Sequence, residues 1–188
     1  MTPFTPGAAV PGREKTREGL PSIKVAASWE DRAMIQRALK LYADTSVFGG
    51  PFDEEFAQAS VLFFDQVRRG KFSLMVSGVI QAEIAPAPHE ARELFEEMLA
   101  YAEIVEPGDE ALMLRQAYIN EGILPATSAG DALHVALATV SGCFAIVSWN
   151  FKHIVHFRKI PLYNAINALH GYHAIGIFSP REVIDYEG

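Results

Sequence analysis

From residue 39 onward the chain alternates two hydrophobic patterns. Short apolar runs with strand character alternate with longer stretches whose apolar residues recur three and four positions apart. "KLYAD", "KFSLMVS", "EIVEP", "CFAIVSW" and "AIGIFSP" read as strands. "DEEFAQASVLFFDQVRRG" reads as an amphipathic helix with acids in its first turn and arginines in its last, the charge order the helix dipole favours. "GVIQAEIA" is a short helix, and "PHEARELFEEMLAYA", "DEALMLRQAYINEG" and "SAGDALHVALATVSG" are longer ones. "HFRKIPLYNAINALHGY" is helical after Pro161. Strands separated by helices predict an α/β domain with a parallel sheet covered on both faces.

The first part of the chain breaks this rhythm. Residues 1–27 are rich in Pro, Gly and charge, and poor order is expected there. "SWEDRAMIQRALK" predicts a short helix capped by Ser28, with Asp31 three positions on. The expected organisation is an N-terminal extension over residues 1–38 and one domain over 39–188. Neither a basic n-region nor an apolar run opens the chain, so no signal peptide is expected.

Composition narrows the function classes. The 188 residues carry a formal charge of −7, which argues against a broad electrostatic grip on nucleic acid. Cys143 is the only cysteine, so no intrachain disulfide forms and a reducing, cytoplasmic setting is expected. Residues 132–149 contain no Asp, Glu, Lys or Arg and approach the length of a membrane span. Gly142 divides them into a helical half and a strand half, so a buried helix feeding a central strand is expected instead of a membrane segment. No G-x-G-x-x-G or G-x-x-x-x-G-K-[ST] is present, which disfavours a nucleotide-binding reading.

Four polar residues fall where apolar surroundings are expected. Asp44 ends the first strand in "YADTS", and Glu83 sits among Ile80, Ala82 and Ile84. Asp131 opens "GDALHVALA", and Asn150 follows the most apolar strand in "SWNFKHI". All four belong to strand ends or the starts of following helices, the edge at which open parallel sheets build sites. Three carboxylates there would suit Mg²⁺ or Mn²⁺, and without a cation they would repel one another and raise their pKa values. Each residue also has a plainer reading. Asp44 suits a turn, Glu83 an exposed helix face, Asp131 a capping box with Ser128, and Asn150 a strand end. Thr45 and Ser46 are candidates for holding a ligand carboxylate or a phosphate, or for capping the next element. His134 either faces the cleft or packs as a hydrogen-bonded core histidine. Lys152 and His153 begin a locally basic strip: residues 122–180 hold three Lys/Arg and one acid. Trp149 reads as core.

The order "YADTS", "QAEI", "GDALHVALA" and "SWNFKHI" resembles the PIN-domain nucleases, and among them the VapC-type toxin ribonucleases, over roughly residues 39–184. The resemblance implies a three-layer α/β/α fold and a divalent-metal-dependent endoribonuclease leaving a 5′-phosphate. It places Asp44, Glu83 and Asp131 as the metal-binding catalytic acids. Asn150 stands at a position that is often a further Asp. RNA as substrate, a small antitoxin and a second copy of the chain are the partners it implies. A catalytically inactive PIN-like module binding RNA or protein is the alternative.

Overall fold

The strand β1, Leu39–Ala43, lies at the centre of a five-stranded sheet with every pairing parallel. A computed structural model describes residues 38–186, which belong to a unit running Arg37–Gly188. The helix expected at residues 28–40 lies outside the described residues up to position 37, and Leu39 and Lys40 are already strand. Flanking β1 are β2, Phe72–Ser77, and β4, Ala145–Val147. The edges are β3, Ala102–Val105, beside β2, and β5, Gly176–Phe178, beside β4. Leu41 pairs with Leu74 on one side and Ala145 on the other, and all three are buried.

The order β3-β2-β1-β4-β5 fixes where the helices lie. From β1 to β2 and on to β3 the chain steps toward one edge through α1, Thr45–Gly49, α2, Ala57–Arg68, α3, Gly78–Ile84, and α4, His89–Met98. It then crosses back and steps toward the other edge through α5, Asp109–Asn120, α6, Ala129–Val140, and α7, Ile160–Leu169. Right-handed crossovers in opposite directions put these two groups on opposite faces. Packing agrees: α5 lies along α6 and touches α7, while α1 packs on α4. The short α8, Pro180–Val183, returns to pack on α2. The parallel sheet covered on both faces that the pattern predicts is observed, in the three-layer α/β/α arrangement the resemblance implies.

Several elements depart from the expected bounds. The acids Asp53, Glu54 and Glu55 precede α2 instead of filling its first turn, because Asp53 forms its own turn. Its carboxylate accepts the Glu55 N–H at 2.9 Å and its carbonyl accepts the Ala57 N–H at 2.8 Å. The "TSVFGG" that suggests a turn after β1 is the helix α1 followed by a 3₁₀ turn, Gly50–Phe52. Residues 132–139 of α6 are buried, and among the described residues no helix is long and apolar enough to cross a membrane. Gly142 has φ +65°, a left-handed conformation that lets the chain turn from α6 toward β4.

Candidate functional site

The carboxyl ends of the strands are stitched together one residue beyond the sheet. The Asp44 N–H donates to the Val147 carbonyl at 3.1 Å, and the Ser148 N–H donates to the Phe178 carbonyl at 3.0 Å. Three strands deliver a polar side chain to this edge: Asp44 after β1, Ser77 at the end of β2 and Ser148 after β4.

Asp44 is 4% exposed and caps α1, accepting the Ser46 N–H on Oδ1 at 3.1 Å. The Ser46 hydroxyl donates to the same oxygen at 2.6 Å, and the Ser148 hydroxyl donates to Oδ2 at 2.7 Å. The turn reading of Asp44 is therefore realised as a helix cap, and the cap is also part of a larger polar cluster. Burial raises the Asp44 pKa above the usual carboxylate range, opposed by His134 and by the two serines.

Glu83, on α3, has a partly exposed side chain, but its carboxylate is held. Oε2 accepts from the Thr45 hydroxyl and from His134 Nε2, the latter at 2.9 Å. His134 is buried, and its Nδ1 lies 2.8 Å from the Tyr42 hydroxyl, itself 2.7 Å from Ser77 Oγ. One direction of donation satisfies the whole chain, from Ser77 to Tyr42 to His134 to an ionised Glu83. Both readings of His134 hold together: it is a packed core histidine and it reaches the cleft. The hydrogen bond from His134 holds the Glu83 pKa below its ordinary value, assisted by Thr45 and opposed by burial. The expectation that mutual repulsion raises the acids' pKa values is corrected here. Glu83 moves down because hydrogen-bond donors face it, and Asp44 moves up because it is buried.

Asp131, in the first turn of α6, accepts from Asn150 Nδ2 at 2.7 Å. The capping box with Ser128 does not form: no side-chain cap bond closes α6, and Ser128 Oγ lies instead 3.4 Å from His153 Nε2. Asn150 is held through both its backbone and its side chain. Its N–H donates to Ser148 Oγ at 2.9 Å, and its Oδ1 accepts the His153 N–H at 3.0 Å. All four candidate residues accordingly lie on one closed circuit. It runs by hydrogen bond from Glu83 to Thr45, along the chain to Asp44, by hydrogen bonds through Ser148 and Asn150 to Asp131, then along α6 to His134 and by hydrogen bond back to Glu83.

Thr45 and Ser46 both hold carboxylates, Glu83 and Asp44 respectively. His153 orients Asn150 through its backbone, and its ring takes a hydrogen bond from Lys159 Nζ at 3.1 Å. Burial, with nearby Lys159, lowers the His153 pKa. Lys152 is exposed and meets no carboxylate of the circuit through a direct hydrogen bond among the described residues. Ser148 and Tyr42 are members that sequence reasoning missed. Only a serine closing an apolar run signals the first, and nothing in the pattern distinguishes Tyr42 from an ordinary core tyrosine. Trp149 is buried as expected, stacked on Phe56 at 4.3 Å and donating from Nε1 to Ser60 Oγ at 2.9 Å.

The donor set is that of a small hard dication: carboxylates, an amide and hydroxyls, with no thiolate. Among the described residues, however, no three of His, Cys, Asp and Glu are grouped so as to hold a metal ion. The hydroxyl and amide donors of the circuit occupy Asp44 on both oxygens and Asp131 on one. Glu83 Oε1 accepts no hydrogen bond from the described residues and faces Gly130, where an added Cβ would stand 3.3 Å away. The absence of a side chain at Gly130 keeps the space between Glu83 and the start of α6 open.

No family model matches the chain, and no curated protein matches it. Among solved structures it is similar to the crystal structure of FitAcB from Neisseria gonorrhoeae, at 14% identity and a TM-score of 0.49. That match covers 76% of this chain and 99% of the other.

Proposed function

We propose that the chain is a divalent-metal-dependent endoribonuclease whose ligands are Asp44, Glu83 and Asp131. The observation that carries the reading is the closed circuit, which ties three acids from separate parts of the chain to one edge of a parallel sheet. Mg²⁺ or Mn²⁺, when bound, supplies charge neutralisation and Lewis acidity at the phosphodiester. Thr45, Ser46 and Ser148 orient the carboxylates, and His134 keeps Glu83 ionised. Asn150 brings an amide where a further acid would add charge, so its role is to orient Asp131 and to hold a phosphate or water by hydrogen bonding. Lys152 and His153 border the cleft on the substrate side. The reading as a toxin, restrained by a small antitoxin and pairing with a second copy, rests on the motif resemblance alone, and the cytoplasmic setting on the single cysteine.

A second reading is favoured by one observation, the saturation of Asp44 by three donors without a grouped metal site. Under it the chain is a PIN-like module that binds RNA or protein without cleaving. Incubating end-labelled RNA with the protein in Mg²⁺, Mn²⁺ or EDTA separates the two. Cleavage that needs metal and disappears in Asp44→Asn supports the nuclease. Intact RNA under every condition supports the binding module.

A further inference from the structure

The segment that follows Asn150, "FKHIVHFRK", interleaves aromatic and basic residues and is not helical. It is nevertheless anchored. Ile154 is fully buried, and the His153 carbonyl accepts the Tyr163 hydroxyl at 3.0 Å. The backbone N–H groups of Ile154 and Val155 both donate to the Asn150 carbonyl. On this fixed base stand two outward phenylalanines, each followed by an exposed cation: Phe151 with Lys152, and Phe157 with Arg158. Phe157 is 89% exposed and Phe151 47%. The Phe151 ring leans on an inner aromatic pair, 6.1 Å from Trp149 and 6.3 Å from Phe56, while Arg181 covers that pair. Lys159 is engaged internally, on the Lys152 carbonyl and the His153 ring. Lys152 and Arg158 form no ion pair among the described residues, in a chain whose net charge is −7.

We infer that this segment is a binding strip for single-stranded RNA, with Phe151 and Phe157 stacking on bases and Lys152 and Arg158 meeting phosphates beside the cleft. Its place as the substrate's entry to the cleft rests on the nuclease reading, while the binding itself does not. Charge complementarity selects the occupant: two unpaired cations spaced by two aromatic faces suit a polyanion whose bases are free to unstack. A duplex hides its base faces and offers the phenylalanines nothing. Because the chain's net charge is −7 and the strip brings only two cations, stacking must supply most of the discrimination and the cations only a small salt dependence.

The test uses the full chain in EDTA, so that binding is read without cleavage, with fluorescein-labelled 12-nucleotide polyuridine and polyadenosine RNAs and the duplex they form together. Fluorescence anisotropy should show both single strands bound and the duplex at least about tenfold weaker. Phe157→Ala and Phe151→Ala should each weaken single-strand binding by about tenfold with an unchanged salt slope. Lys152→Ala combined with Arg158→Ala should reduce the slope of log K against log salt by about 1.4, the loss of two single-strand phosphate contacts. Phe157 is exposed, so its replacement keeps the fold and serves as a control even if Phe151→Ala loosens Trp149. No single-strand binding, equal duplex binding, or wild-type affinity in both phenylalanine variants overturns the inference. Single-strand binding of this kind by a protein that never cleaves keeps the strip and removes the nuclease reading. Metal-dependent cleavage with indifferent phenylalanines does the reverse.

Discussion

Ser148 is the hinge of the circuit, and removing its hydroxyl tests whether the circuit is real. The side chain is fully buried, donates to Asp44 Oδ2 at 2.7 Å and accepts from the Asn150 N–H at 2.9 Å. Ser148→Ala deletes a hydrogen bond to a buried acid, about 1.5–3 kcal/mol, and leaves a partly buried N–H without its partner, about 1 kcal/mol more. The expected loss is about 3 kcal/mol at neutral pH, or a melting temperature lower by about 6–12 °C for a chain of this size. The pH dependence has a definite sign. Burial raises the folded pKa of Asp44, so the native state holds its proton more tightly than the unfolded chain. Stability from this group is present when it is protonated and is lost as pH rises from its unfolded to its folded pKa. Ser148 opposes that rise, and its removal extends the window upward. The cost of Ser148→Ala should therefore be smallest in acid, where Asp44 is neutral in both proteins, and grow toward neutral pH. Urea unfolding in EDTA, followed by tryptophan fluorescence from acid to neutral pH, measures this directly. In an Asp44→Asn background the same change should cost only about 2 kcal/mol, a neutral hydrogen bond plus the unpaired Asn150 N–H. A cost independent of pH and of residue 44 refutes the assigned contact.

Two further changes probe neighbouring contacts. Asn150→Asp replaces the amide that donates to Asp131 at 2.7 Å with a second carboxylate, so the variant should melt several degrees lower than wild type in EDTA. Millimolar Mn²⁺ should then raise its melting temperature more than it raises that of wild type, and equal responses in a thermal melt would place Asn150 away from any metal. Gly50→Ala is sterically costly although the backbone angle, φ −55°, suits any residue: the new Cβ would lie 2.2 Å from Ser60 Oγ and 2.6 Å from Trp149 Nε1. Chemical denaturation should show a loss of about 1–3 kcal/mol.

The sheet was legible because its strands are short apolar runs punctuated by residues of known habit. Gly142 separates α6 from β4 as expected, and Asp131 and His134, three apart on a helix, share a face. Contacts between distant segments were not legible. No local pattern says that Thr45 reaches Glu83, that Ser148 reaches Asp44, or that Arg181 covers Phe56 and Trp149. The capping box offered as the plainer reading of Ser128 and Asp131 does not form: Ser128 closes a 3₁₀ turn with ψ 31° instead of the extended backbone a cap adopts. A second such signature, Ser179 with Glu182, does cap α8, and it passed unnoticed behind a strand. The pKa expectation holds in direction for Asp44, through burial and not repulsion, and fails for Glu83 because it omitted the donors that the fold brings to that acid.

The central claim is that the acids gathered at this sheet edge cleave RNA with a metal ion, and Asp131→Asn tests it most directly. The substitution keeps an oxygen for the Asn150 amide while removing the charge, so the circular dichroism spectrum should match wild type. With a 5′-labelled single-stranded RNA in millimolar Mg²⁺ or Mn²⁺, wild type should yield metal-dependent labelled fragments ending in a 3′-hydroxyl, with the 5′-phosphates on the downstream pieces. Asp131→Asn should yield none above background. Wild-type cleavage by a folded Asp131→Asn protein, or cleavage by wild type that persists in EDTA, contradicts the account.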